Sequence, residues 1–66
     1  MDELNTLNTL IVATKSAYDA VSAMMQANTD YERVTDNMIL TDDEFNSIVS
    51  TRRILSKYFR QLKSQR

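Results

Sequence analysis

Asp42, Asp43 and Glu44 stand in succession, and Asp30, Glu32 and Asp36 form a looser acidic set. Carboxylates are the ligands that a hard cation takes. Neither set reads as a metal site. Glu44 follows Thr41 by three residues, the spacing of a capping box at a helix start, and acids in a first turn complement the helix dipole. The set around Asp30 lacks the central glycine and the final bidentate glutamate of a calcium loop. With no histidine and no cysteine, the usual transition-metal ligands and a conventional nucleophile and base pair are both missing. Ser56 and Lys57 are neighbours in sequence, so on a helix they point in different directions and make no pair. The chain is therefore expected not to be an enzyme, and to have no cofactor, no metal and no small-molecule substrate.

A different chemistry is written near the C-terminus. From Ser50 onward the chain carries Arg52, Arg53, Lys57, Arg60, Lys63 and Arg66 and no acid. On a helical wheel these cations fall within an arc of about 180°, and Ile54, Leu55, Tyr58, Phe59 and Leu62 take much of the remaining surface. Residues 1–51 set nine acids against Lys15 and Arg33, a balance of -7, whereas residues 52–66 balance at +6. The arc offers two readings. Arg53, Lys57, Arg60, Lys63 and Arg66 suit a polyanion such as nucleic acid, or they form a solvated face that complements the helix C-terminus and the acids Asp2 and Glu3.

These residues must be positioned by helices. The chain contains no glycine and no proline, so tight primed turns between strands would be hard to build. Leu4, Leu7, Ile11, Thr14, Tyr18, Val21 and Met25 recur at alternating steps of three and four, with Leu10, Ala17 and Met24 widening the stripe. That spacing predicts a helix over about 2–27. "LTDDEF" opens the next: Thr41 and Glu44 have the capping-box spacing, and Leu40 and Phe45 hold the positions of a hydrophobic staple. Phe45, Ile48, Arg52, Leu55, Phe59 and Leu62 continue the step, with Val49, Ile54 and Tyr58 alongside, over a helix at about 42–63.

Thr29 and Glu32 repeat the capping-box spacing, which predicts a short third helix over about 30–36 at the joint, with Asn37 as a left-handed cap. The competing reading runs the first helix straight through to Asn37. Met24, Met25 and Met38 fill gaps at the joint, and the tyrosines sit at the core rim. The expected fold is all-α, an antiparallel hairpin in one domain spanning 1–66, with 64–66 frayed.

"ERV" at 32–34 followed by "LTDDE" at 40–44 resembles the stretch before the last long helix of the Hha-like nucleoid-associated regulators. The resemblance spans under a quarter of the chain and carries no functional residue across.

A chain of 66 residues buries only about 60% of the surface that its unfolded form exposes, and without disulfides it needs regular packing or association. The seam residues Leu7, Ile11, Thr14, Tyr18, Val21, Ile48, Arg52, Leu55, Phe59 and Leu62 are thus candidates for a coiled-coil-like interface. Thr14 and Arg52 are its polar members, suited to fixing register, Arg52 by pairing with an acid. The sequence reading is a non-catalytic interaction or regulatory module that binds a larger protein or complex. It would be a homodimer or a heterodimer with another helical protein. Nucleic-acid binding through the last helix is the alternative. No stretch has the length and apolarity of a membrane span, and the expected location is the cytoplasm.

Overall fold

The structure is a computed structural model, and it describes residues 2–66. Two α-helices make up its regular structure: α1 (Glu3–Thr35) and α2 (Asp42–Lys63). They pack against each other as a hairpin with principal extents of 50 × 17 × 15 Å.

The start of α1 is capped by the Asp2 carboxylate, which accepts from the Leu4 amide at 3.1 Å. Threonines, poor helix formers in isolation, are accommodated by turning their hydroxyls back along the helix. Thr6, Thr9, Thr14, Thr29 and Thr35 each donate to the carbonyl four residues earlier. The start of α2 has the reciprocal box: the Thr41 hydroxyl accepts from the Glu44 amide at 3.1 Å, and Glu44 accepts from the Thr41 amide at 2.9 Å. Leu40 and Phe45 are both half-buried, as a staple requires.

The structure does not contain the short third helix expected over 30–36, and α1 does not stop near 27. It runs on to Thr35, close to the competing reading. Asn28, Thr29 and Asp30, residue types that favour helix ends, are accommodated inside the continuing helix. The Thr29 hydroxyl donates to the Met25 carbonyl, the Asn28 amide donates to Glu32, and Asp30 accepts from both Gln26 and Arg33. The left-handed cap is Asp36, at φ 54° and ψ 34°, rather than Asn37. Its amide donates to the Glu32 carbonyl at 2.8 Å and closes the last turn. Residues 36–41 then carry the chain back.

Register follows from which residues face each other. Met25 and Asn28 share a groove with Phe45 and Ile48, Tyr18 with Phe59, and Leu7 with Gln65. The Arg66 guanidinium donates to the Asn8 side chain at 3.4 Å, tying the end of α2 to the beginning of α1. In this antiparallel register Ile11 stands opposite Leu62, and Val21 opposite Arg52. The buried set is small: among the described residues it holds Ile11, Thr14 and Leu62, and no side chain is fully buried.

Candidate functional site

The seam is where exposure is lowest in both helices. In α1 it runs through Leu7, Ile11, Thr14, Tyr18, Val21, Met25, Asn28 and Glu32, and in α2 through Phe45, Ile48, Arg52, Leu55, Phe59 and Leu62. Each set keeps the three-four step, and α1 keeps it beyond the point where a break was expected. Thr14 needs no partner across the seam, because its hydroxyl donates to the Leu10 carbonyl at 2.8 Å. Arg52 is half-buried, and neither ion pair of the described residues includes it. Its aliphatic stem can cover the seam while the guanidinium reaches water. The Ser22 hydroxyl, buried at the seam's edge, has no hydrogen-bond partner.

One residue on either side of the seam, the hairpin has two unlike faces. On an α-helix the residue after a seam position lies about 100° one way round, and the residue before it about 100° the other way. Because the helices are antiparallel, the "after" positions of both meet on one broad face and the "before" positions on the opposite one. Lys15 and Ser56, each next after a seam residue, line the same groove and establish the first face. That face carries Asn8, Val12, Lys15, Asp19, Ser22, Gln26, Thr29 and Arg33 from α1 and Asn46, Val49, Arg53, Ser56, Arg60 and Lys63 from α2. It is mostly polar and, along α2, basic.

The opposite face bears no charged residue along most of its length. From α1 it receives Leu10, Ala13, Ala17, Ala20, Met24, Ala27, Tyr31 and Val34, a second unbroken three-four series. From α2 it receives Ser47, Thr51, Ile54, Tyr58 and Gln61. Large apolar side chains stand in solvent here: Ile54 is 66% exposed, Met24 47% and Tyr58 40%. The sequence marks these residues as the margin of one wide stripe. Only the hairpin geometry separates them from the seam and gathers them on a face of their own.

Arg53, Lys57, Arg60, Lys63 and Arg66 are all exposed. Arg53, Arg60 and Lys63 lie together on the polar face, Lys57 on the outer edge of α2, and Arg66 at the open end near Asn8. The two ion pairs among the described residues join Lys15 to Asp19 at 2.7 Å and Arg33 to Asp30 at 3.1 Å. No cation of α2 takes part, and Asp2 and Glu3 pair with none of them. Arg66 donates to Asn8, and the Lys63 ammonium sits 5.1 Å from the centre of the Phe59 ring.

The acidic sets have local employment. Asp30, Glu32 and Asp36 serve α1 as described, and Glu44 is held below the usual carboxylate range by the Thr41 amide, then by the Thr41 hydroxyl. Among the described residues no three acids gather as metal ligands. No helix of the described chain is long and apolar enough to cross a membrane.

The geometry defines a class, the two-helix hairpin with one uncharged face, and comparison adds no narrower one. The chain matches no protein-family model, no curated protein and no solved structure. The segment that resembles the nucleoid-associated regulators divides between the last turns of α1, which hold residues 32–34, and the cap of α2 at 40–44.

Proposed function

We propose that this chain is a non-catalytic helical interaction module, dimeric, that acts by binding a larger protein or complex. One observation carries the reading: the uncharged face from Leu10 to Val34 on α1 and from Ser47 to Gln61 on α2, left open in the hairpin. An open uncharged face that gathers exposed apolar side chains such as Met24, Ile54 and Tyr58 on a small domain suits a contact site. Sedimentation of the pure protein, with an anilinonaphthalene dye as a probe of open apolar surface, tests it. Association, or dye binding that a charge on this face abolishes, is expected. A monomer that melts cooperatively and binds no dye would overturn it.

A second reading, nucleic-acid binding by α2, is favoured by the basic residues on its polar face, which have no acidic partner. Changing Arg53, Lys57 and Arg60 to Gln leaves the seam intact. If duplex is bound, that change should weaken affinity and lower the salt slope by roughly 0.9 per lost phosphate contact. Anisotropy of a labelled duplex at two salt concentrations reads the effect. Absence of binding at low salt by the parent protein removes this reading.

A further inference from the structure

Resting on the reading that the uncharged face binds protein, we infer that its occupant is a second copy of the chain. The two copies dock antiparallel about a two-fold axis that crosses α1 near Ala17 and Ala20, giving a four-helix bundle.

Area is the first support. A compact monomer of 7.6 kDa exposes about 4,300 Å² by the scaling of surface with mass. The hairpin exposes 5176 Å². The excess, roughly 900 Å², matches the ~800 Å² that each partner gives up in a standard interface.

Shape is the second. A two-fold interface must be complementary to itself. With the axis perpendicular to the helices, α1 lies directly over the α1 of the other copy. Ala13 then faces the region of Met24 and Ala17 that of Ala20, so small side chains meet near the axis and the two backbones can approach closely. Ile54 and Tyr58 from each copy fill the space beside them.

Charge chooses the direction. Residues 19–54, the half that contains the joint, hold seven acids against Arg33, Arg52 and Arg53, a balance of -4. The open half, residues 1–18 and 55–66, holds Asp2 and Glu3 against five bases, a balance of +3. An axis perpendicular to the helices places each acidic half over the basic half of the other copy. An axis parallel to them would stack acid on acid, and like charges facing each other suppress that arrangement. The polar faces, with Arg53, Arg60 and Lys63, remain outside the bundle in either case.

The test uses a spin label on Asn37→Cys, a joint position off the face, in a chain with no other cysteine. Sedimentation equilibrium should give twice the protomer mass. From the axis to the end of α1 is about 25 Å at 1.5 Å per residue, so paired labels should lie about 50 Å apart. A dimer with labels within about 20 Å, roughly two helix diameters, would overturn the antiparallel arrangement and leave the interaction reading standing. Ala20→Glu should yield monomer, whereas Gln26→Glu on the polar face should stay dimeric. A dimer that Ala20→Glu does not disturb would overturn the docking of a second copy on this face. A monomer whose dye binding Ala20→Glu abolishes would overturn the second copy alone, and leave the face to a different protein.

Discussion

Thr29-Asp-Tyr-Glu32 and Thr41-Asp-Asp-Glu44 have the same capping-box spacing twelve residues apart, yet only the second starts a helix. The difference lies outside the box. At the second, Leu40 and Phe45 flank it and pack as a staple, so the chain entering the helix is fixed by apolar contact as well as by hydrogen bonds. The corresponding flanking residues of the first are Asn28 and Arg33, which cannot make that contact. The seam decides the rest. Met25, Asn28 and Glu32 keep the three-four step in phase with Leu7 through Val21, so continuing α1 preserves the alignment that a break would lose. A capping box is a local preference of about 1 kcal/mol, and a helix already propagating adds one backbone bond for each residue it fixes.

Proline at the first position after each threonine separates the two boxes most sharply. Asp42→Pro falls at the first position of a true helix, where the lost amide is one that has no helical partner, and should be nearly neutral. Asp30→Pro falls inside α1, where it removes the bond to the Gln26 carbonyl and clashes with it. A loss of about 3 kcal/mol in urea unfolding is expected, with reduced helical signal from the last turns of α1. Equal tolerance at both positions would show that α1 breaks after Asn28.

Removing the threonines themselves gives a smaller contrast of the same sign. Thr41→Ala should cost about 1 kcal/mol, because the Glu44 amide loses its acceptor. Thr29→Ala removes only a hydroxyl that bonds back to Met25 and introduces a better helix former, so stability should be unchanged or slightly raised. The difference between the two, read from chemical denaturation midpoints, is the measure of how far one box acts and the other does not.

Much of the fold is legible in the sequence because periodicity survives translation into packing. The three-four step marks the seam residues of both helices, and the staple marks the start of α2 to the residue. The end of α1 is illegible for the reason just given: Asn28, Thr29 and Asp30 carry cap propensity, and only the register against α2 overrides it. Asp36 rather than Asn37 takes the left-handed turn because α1 ends where the Glu32 carbonyl accepts its amide, a choice of one residue that composition leaves open. The candidate site is half legible. Leu10, Ala17, Met24, Ile54 and Tyr58 stand out as apolar, but whether they flank a seam or form a face depends on how two helices are rotated about their axes. The Ala13, Ala20 and Ala27 steps lack the size to draw notice until that rotation is known.

Acidity gives the finest distinction between the boxes. The Thr41 amide and then the Thr41 hydroxyl hold the exposed Glu44 carboxyl below its ordinary value of 4.5. A carboxylate whose folded value is depressed contributes stability that is fully present above the unfolded value and lost as pH falls through the folded one. The contribution of this box should therefore be complete at neutral pH and should fade below pH 4.5, under protonation of Glu44. Glu44→Gln keeps an oxygen that can accept from the Thr41 amide but does not titrate. The variant should be somewhat less stable than the parent at neutral pH, and the gap should narrow progressively as the pH falls below 4.5. Thermal melts of the two proteins over a series of pH values on either side of 4.5 measure it. A gap that persists at low pH would mean that Glu44 supports α2 through packing, and that the charge on its carboxylate adds nothing to the cap.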